Sequence, residues 1–289
     1  LLVCEATPAY DRLFRDLLDR VSGGAEITLH PYNVYAGQLP ASVHDHGGYL
    51  ITGSYAGAYE DLPWIPPLLD FVRAAHAVQI PLVGVCFGHQ VLAQALGGEV
   101  EKATVGWEIG VHSTRITRRF PWMAPDDSMG DHPDSPSVTT PDELQLIYVH
   151  QDQVTTLPPH ARVFATTELC PAAGFVLGNV GGGEPGATEG GETALGIQGH
   201  PEFTRAVTAE TIRSQPEKFP PAVANPALHS LESLEDSYGR DSTTVAGWIV
   251  RFLRGARGGE IDRLSAAIRF ETVHRTAPGA QAAGGRGAA

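Results

Sequence analysis

Residues 80–98, IPLVGVCFGHQVLAQALGG, place a single cysteine between an apolar run and a helical pattern. The run over residues 80–85 is short, apolar and rich in β-branched side chains, which predicts a strand buried on both faces. From Phe87 onward the apolar residues recur at helical spacing, and a Gly-Gly pair ends the segment. Cys86 is therefore predicted to lie on a tight turn from strand to helix, the geometry of a nucleophile elbow.

The glycines around Cys86 decide between two interpretations of that residue. A free cysteine is most often a small buried hydrophobic residue, and such a residue needs no glycines beside it. Gly84 and Gly88 instead allow the backbone to turn sharply and a substrate to approach. The helix that follows begins with unpaired N–H groups and a positive dipole end, which stabilise a thiolate. The pattern favours a nucleophilic cysteine.

Composition limits the class of protein. The chain has 289 residues, of which 42% are hydrophobic, and a formal net charge of −13. It is long enough for one large α/β domain or for two small ones, and it contains no apolar run that could cross a bilayer. The acidic charge argues against partners such as nucleic acid or a membrane surface. Its three cysteines form no C-x-x-C pair, so we expect no metal site, no disulfide framework and a cytoplasmic location.

Predicted strands and helices alternate along the first hundred residues. Strands are predicted at residues 1–5, 26–29, 48–52 and 80–85, and helices at 10–21, 66–78 and after Phe87. Later strands are predicted at 110–117, 144–149, 161–167, 174–177 and 193–198, and later helices at 204–214 and 244–254. The alternation predicts an α/β fold with a flavodoxin-like, mostly parallel central sheet and helices on both faces. The crowded later strands predict a small antiparallel extension.

A single domain is expected over residues 1–276. Two segments within it, 124–142 and 178–192, are rich in Gly, Pro and acidic residues and poor in apolar ones. Such segments cannot bury enough surface to offset the entropy of ordering, so we expect surface insertions. Residues 277–289 are expected to form a disordered tail.

A thiolate nucleophile needs a base, and the base needs an acceptor that orients it. Of the 12 histidines, His200 directly follows a predicted strand, at the edge where open α/β sheets place their sites. Glu202 can hold the second imidazole nitrogen, and Pro201 restricts the backbone between them. His89 lies on the helix after Cys86, where its ring should point away from the thiol. We therefore predict that Cys86, His200 and Glu202 act together.

Two motifs carry a resemblance to a known family. The sequence GVCFGHQ at residues 84–90 is similar to the G-x-C-x-G-x-Q elbow of class I glutamine amidotransferases, and GHPE at 199–202 is similar to their distal motif. Within that family, VGWEIG at 105–110 and HQDQV at 150–154 resemble one branch of stand-alone proteins. That branch is similar to the glutaminase domain of GMP synthase and includes the γ-glutamyl peptidases.

The resemblance implies further residues that bind the substrate or its oxyanion: Gly53, Phe87, Gln90, Trp107, Glu108, His150 and Asp152. The loop at Gly53 and the N–H of Phe87 would donate to the oxyanion, and Gln90 would line the γ-glutamyl pocket. Trp107 and Glu108 would cover the substrate, and the segment 150–152 would contact the glutamyl backbone. Trp107 is equally compatible with a packing role, and Asp152 with a turn cap.

The resemblance also implies an activity. Cys86 would attack the side-chain amide of a γ-glutamyl small molecule, and a γ-glutamyl thioester would then be hydrolysed without any cofactor or metal. Three alternatives follow: a free-standing hydrolase of γ-glutamyl peptides or conjugates, a glutaminase delivering ammonia to a separate synthetase in trans, and a catalytically silent binding or regulatory protein. The intact triad argues against the third. The insertion at 178–192 could cap the pocket without a second protein, which inclines the prediction toward autonomous hydrolysis.

Overall fold

The computed structural model describes residues 1–3, 9–21, 27–124, 140–178, 191–232 and 237–255. The two predicted insertions lie almost wholly outside these residues, as does the predicted tail at 277–289, and the single-domain boundary at 276 is likewise not described. Within the described part of the chain, no helix combines the length and the apolar character needed to span a membrane.

Nine strands of the described chain form one mixed sheet, in the order β2-β1-β3-β4-β11-β10-β9-β6-β7. They are β1 (Leu2–Val3), β2 (Tyr32–Asn33), β3 (Tyr49–Ile51), β4 (Leu82–Val85), β6 (Glu108–Ile116), β7 (Glu143–His150), β9 (Arg162–Thr166), β10 (Gly174–Gly178) and β11 (Glu192–Ile197). Strands β5 (Glu99–Lys102) and β8 (Asp152–Thr156) form a separate antiparallel ribbon. The strands from β2 to β11 are parallel, and β10, β9, β6 and β7 continue the sheet antiparallel.

Helices cover both faces of the parallel half. The α-helices of the described chain are α1 (Ala9–Asp19), α2 (Ile65–Ala77), α3 (Phe87–Ala95), α4 (Arg205–Arg213), α5 (Pro221–Glu232) and α6 (Ser237–Gly255), and α1, α2, α3 and α6 pack on the parallel half. Val83 and Val85 of β4 pack in one core cluster with α1 and α6, and Leu82 packs in a second cluster with α2 and α3. This division follows from the alternation of side chains along a strand. The predicted α/β fold class is confirmed.

A third hydrophobic cluster lies under the antiparallel half of the sheet. It joins Ile109 of β6 and Ile147 of β7 to residues of α4 and α5. Phe203 and Phe219, which lie before and after α4, are buried in the same cluster. Through this shared cluster, the segment that follows β11 packs together with the segment between α4 and α5.

The structure corrects several predicted elements. The predicted strand at 26–29 is wrong, because its described residues 27–29 have no regular structure and the neighbour of β1 is Tyr32–Asn33. Hydrogen bonding to β1 begins only at His30 and Tyr32, on either side of a proline that has no N–H to donate. Strands β5 and β8 and helix α5 were not predicted. β5 and β8 are short and polar, and α5 contains Pro226, which is normally read as a helix breaker.

Close backbone packing requires glycine on both sides of the turn between β4 and α3. A Cβ atom on Gly84 would lie 2.2 Å from the carbonyl oxygen of Gly88, and a Cβ on Gly88 would lie 2.2 Å from that of Ile51. The N–H of Gly88 also donates to the carbonyl of Thr52 at 3.1 Å. The first turn of α3 thus rests directly on β3 and β4.

We expect Gly84→Ala to lower the free energy of unfolding by about 1–3 kcal/mol, because the added methyl meets backbone atoms that cannot move aside. Gly239→Ala is the control, since a Cβ at that exposed position of α6 meets nothing within 4 Å. This control should raise stability by about 0.5–1 kcal/mol. Chemical denaturation of both variants measures the difference, and equal stabilities would contradict the packing.

Candidate active site

Cys86 occupies the turn between β4 and α3 in a strained conformation. Its backbone angles are φ 53° and ψ −105°, a combination that residues other than glycine avoid and that costs about 1–3 kcal/mol. The N–H of Cys86 donates to the carbonyl of Ile197 at 2.8 Å, and its carbonyl accepts from the N–H of Gln90 at 3.1 Å. The backbone is therefore fixed on both sides of the thiol, which lies where the sequence predicted it.

His200 reaches Cys86 because their strands are neighbours. In the parallel pairing of β4 with β11, Val85 lies opposite Ile197, so both strands end at the same edge of the sheet. The side chains of Cys86 and His200 are hydrogen-bonded, and His200 Nδ1 lies 2.7 Å from Glu202 Oε1. The three residues that the sequence singled out form one hydrogen-bonded row.

The electrostatics of this row favour a charged imidazole. Burial alone would lower the pKa of His200, but the Cys86 thiolate and the Glu202 carboxylate outweigh it and raise the pKa to about 10. The ring of Phe203 stacks on the imidazole, with centroids 4.0 Å apart. The backbone N–H of His200 donates to the backbone carbonyl of Ile147 at 2.7 Å. Sequence reasoning missed Phe203, although it follows Glu202 directly. The surroundings of His200 therefore favour its imidazolium form.

Of the two predicted oxyanion donors, Gly53 lies beside His200 and Phe87 directly follows Cys86. A Cβ on Gly53 would lie 3.2 Å from His200 Cε1, so the loop after β3 passes beside the imidazole. Phe87 is the first residue of α3, where backbone N–H groups have no acceptor within the helix. The Phe87 ring is buried and packs on Trp64, with centroids 5.4 Å apart. Both backbone positions are compatible with the predicted role, which stays a prediction.

Gln90 connects the helix of Cys86 to the ribbon strand β8. Its Nε2 donates to the carbonyl oxygen of Asp152 at 2.8 Å and to Gln198 Oε1 at 3.2 Å. The Asp152 carboxylate accepts a hydrogen bond from the Tyr59 hydroxyl at 3.2 Å. Gln198, which the sequence analysis did not single out, lies between β11 and His200. Gln90 is therefore held in place one helical turn after Cys86.

Glu108 and His150 form a buried pair behind Gln90. Their side chains are 0% and 3% exposed, and His150 Nε2 lies 3.0 Å from Glu108 Oε2. His150 Nδ1 lies 3.1 Å from the same Asp152 carbonyl that Gln90 contacts. The two ring nitrogens of His150 thus face two different oxygen partners, one on the side chain of Glu108 and one on the backbone of Asp152. The pair supports the Asp152 peptide from behind, and its predicted contact with substrate stays a prediction.

The remaining predicted residue, Trp107, is half-buried. Its ring packs against Phe219 at a centroid distance of 4.9 Å, with the rings nearly perpendicular. Trp107 therefore makes the packing contact that the sequence analysis left open, while part of its surface stays exposed.

A set of metal-type donors lies beside the site, although no metal was predicted. Donor atoms of Glu108, His150 and Cys170 all lie within 4.8 Å of one another. Glu108 already accepts from His150 and from the Thr167 hydroxyl, the latter at 2.5 Å. Burial, with a further contribution from Glu108, raises the pKa of Cys170 to about 12, so this cysteine is a neutral thiol. A metal ion would have to displace these hydrogen bonds and a tightly held proton, so the donor set fits a metal poorly.

His89 lies apart from the hydrogen-bonded row. Its ring is fully buried against Phe175, with centroids 4.8 Å apart, and a Cβ on Gly196 would lie 2.6 Å from its Nδ1. Burial lowers the pKa of His89 to about 3, so the imidazole is neutral. These contacts agree with the prediction that His89 is not the base.

We expect Glu108→Gln to lower the free energy of unfolding at neutral pH by about 1.5–3 kcal/mol, the usual range for a hydrogen bond to a charged group. Burial alone would raise the pKa of Glu108, but the hydrogen bond and charge of His150, helped by Thr167, bring it below the ordinary 4.5. The carboxylate therefore stabilises the fold above pH 4.5, and this contribution is lost as the pH falls through the lowered pKa.

Denaturation at several pH values tests this expectation. The difference between Glu108→Gln and the unmodified chain should shrink as the solution is acidified from neutral pH to below pH 4. Glu101→Gln, at an exposed position of β5, is the matched control and should change stability little at any pH. A loss of stability in Glu108→Gln that stays constant with pH would contradict the stabilising role of the Glu108 carboxylate.

Two kinds of known protein resemble the chain in sequence. Gamma-glutamyl peptidase 4 of Arabidopsis thaliana is 27% identical over 183 residues, which cover 63% of this chain and 64% of that protein. A glutamine-hydrolysing GMP synthase of Bordetella parapertussis is 28% identical over 170 residues, which cover 57% of this chain and 27% of the synthase. The chain therefore spans less than two thirds of the length of these curated relatives.

Similarity in three dimensions extends further than similarity in sequence. The crystal structure of a glutamine amido transferase from Methylobacillus flagellatus matches with a TM-score of 0.63 at 22% identity, over 96% of this chain and 98% of that one. At this identity the match shows a shared fold. The family model for glutamine amidotransferase class-I matches residues 12–215, well over half of the sequence. The chain belongs to the class I glutamine amidotransferase family.

Proposed function

We propose that the chain hydrolyses γ-glutamyl amides, with Cys86 as nucleophile, His200 as general acid and base, and Glu202 as the residue that orients His200. The observation that carries this proposal is the hydrogen-bonded row of the three side chains at the ends of β4 and β11. The strained backbone of Cys86 supports it, because such strain is concentrated at functional sites.

In the first half-reaction the Cys86 thiolate attacks the γ-carbonyl carbon of the substrate, and the carbonyl electron pair moves onto oxygen. Backbone N–H groups of Gly53 and Phe87 would donate to this oxyanion; loss of one such donor typically slows catalysis by about 10²–10³-fold. His200 then gives its proton to the leaving nitrogen as the carbon–nitrogen bond breaks. The amine or ammonia departs, and a γ-glutamyl thioester on Cys86 remains.

In the second half-reaction His200 removes a proton from a water molecule, and the resulting hydroxide attacks the thioester carbon. The carbon–sulfur bond breaks, and glutamate leaves. The thiolate of Cys86 and the imidazolium of His200 are restored. Throughout the cycle the Glu202 carboxylate accepts from His200 Nδ1, which keeps Nε2 directed at the reacting atoms.

The substrate class is proposed from the relatives as well as the site. Several of the curated relatives are called gamma-glutamyl peptidases, which supports autonomous hydrolysis of γ-glutamyl peptides or conjugates. The similarity to a glutamine-hydrolysing GMP synthase supports a second candidate, a glutaminase that supplies ammonia to a separate synthetase. We favour the first, because the peptidase relatives match a longer part of this chain. The intact row of Cys86, His200 and Glu202 argues against a silent binding protein.

We expect the purified chain alone to release glutamate from a γ-glutamyl dipeptide, and Cys86→Ala to lower this rate at least about 10³-fold, since loss of a nucleophile removes the covalent route. Liquid chromatography of glutamate, with ammonia measured when glutamine is the substrate, gives both activities. Cys170→Ser is the control, because it removes a nearby thiol that lies outside the row. Full activity of Cys86→Ala would overturn the proposal, and glutamine hydrolysis only in the presence of a synthetase would favour the second candidate.

The raised pKa of His200 leads to a pH prediction. Because the pKa of His200 is raised to about 10, its protonated form predominates in the folded protein below that pH. This form supplies the proton for the leaving amine. We expect kcat/KM to fall as the pH rises through about 10. Glu202→Gln removes one of the two anions that raise the pKa, so this alkaline decline should move to lower pH and the maximal rate should fall. Glu101→Gln should leave the profile unchanged, and an unmoved decline in Glu202→Gln would contradict the assigned role.

A further inference from the structure

Lys218 is held over a group of aromatic rings between α4 and α5. Its Nζ lies 4.5 Å from the ring centroid of Tyr55, 5.4 Å from that of Trp107 and 6.0 Å from that of Phe219. We call Lys218 and these three aromatic residues the lysine platform. Lysine is rare here: the sequence contains only two, Lys102 and Lys218, beside 18 arginines. Because of these cation–π contacts, the Lys218 ammonium has a more defined position than the ammonium of an ordinary surface lysine.

The segment that carries Lys218 is fastened to the loop after β3. Gln215 Nε2 donates to the Tyr55 hydroxyl at 2.9 Å. The backbone N–H groups of Lys218 and Phe219 both donate to the Gln215 carbonyl, at 3.1 and 2.9 Å. The position of the ammonium is therefore set by hydrogen bonds as well as by ring contacts.

The lysine platform adjoins the His200 side of the site. Tyr55 follows Gly53 by two residues, a separation of at most about 7 Å, and Gly53 lies beside the His200 ring. Phe203 stacks on the imidazole of His200 and lies in the same hydrophobic cluster as Phe219 and Trp107. The platform is thus connected to His200 in two ways, through the loop that carries Gly53 and Tyr55 and through the aromatic cluster that contains Phe203.

This location has a chemical meaning under the proposed function. His200 gives its proton to the leaving nitrogen, so the part of the substrate beyond the γ-glutamyl amide extends from the His200 side. Tyr55 as a whole residue is 51% exposed, so the platform is open to a ligand. The net charge of −13 repels anions in general, and a substrate with a carboxylate needs a local cation to bind.

We propose that Lys218, held on Tyr55 and Trp107, binds a carboxylate in the leaving portion of the substrate. The site would then select γ-glutamyl amino acids or peptides with a free carboxylate over their amides and over glutamine, whose leaving group is ammonia. This inference rests on the proposed function, since it assigns the leaving portion to the side of the site on which His200 lies.

Paired substrates that differ only in charge test the inference. One pair is γ-glutamylalanine and γ-glutamylalaninamide; the second, γ-glutamylalanylalanine and its amide, places the carboxylate about 3.8 Å further out. We expect kcat/KM for the acid to exceed that for the amide about 10-fold or more in at least one pair. Lys218→Gln should abolish this preference by lowering the acid rate about 10- to 100-fold. The amide and glutamine rates should change less than about twofold, since they lack the charge that Lys218 binds.

Two variants serve as controls. Lys218→Arg keeps the charge and should retain most of the preference, and Lys102→Gln, at an exposed position of β5, should retain all of it. Equal rates for acid and amide in both pairs would overturn the inference. If Lys218→Gln lowered kcat/KM equally for the acid, the amide and glutamine, the inference would also be overturned, because such a uniform loss would indicate a purely structural role of Lys218.

Binding measurements separate this inference from the proposed function. Calorimetry with Cys86→Ala gives the Kd of each acid and amide without turnover. We expect the acid to bind more tightly than the amide, and we expect this difference to disappear in the double variant Cys86→Ala, Lys218→Gln. A preference in Kd without any hydrolysis by the unmodified chain would support carboxylate binding while contradicting the proposed function. Equal Kd values for acid and amide would contradict carboxylate binding whether or not hydrolysis occurs.

Discussion

The parallel pairing of β4 with β11 is the constraint on which the candidate site depends. Gly84 lies opposite Gly196 and Val85 opposite Ile197, so the next residues of both strands emerge at one edge of the sheet. The hydrogen bond from the Cys86 N–H to the Ile197 carbonyl extends the ladder by one more residue. A shift of this register by one residue would reverse the side chains and separate the thiol from the imidazole.

Much of the site could be predicted because its signals are local. Gly84 and Gly88 mark a turn that no side chain would fit, and His200 with Glu202 directly follows an apolar strand. The alternation of strands and helices predicted the parallel half of the sheet for a similar reason. In each of these cases a few consecutive residues carry the physical requirement.

Features that depend on distant contacts could not be predicted in the same way. The burial of Glu108 against His150 depends on the pairing of β6 with β7, which sets these residues opposite each other. The ring of Phe203 on His200 and the donor group around Cys170 likewise combine separate segments. Helix α5 was missed because its packing on β6 overrides the helix-breaking tendency of Pro226.

The position of β11 in the sheet also affects how the candidate site is assembled. Its partner β4 precedes it by more than a hundred residues. The pairing that brings Cys86 and His200 together is therefore a contact of large sequence separation, the kind that slows folding. The entropy of closing that long loop must be overcome before the two strands stabilise each other. During synthesis or refolding, the Cys86 thiol and the His200 imidazole therefore meet only after β11 is available to pair with β4. A chain truncated before β11 would contain the whole turn around Cys86 but lack the imidazole that lies beside the thiol.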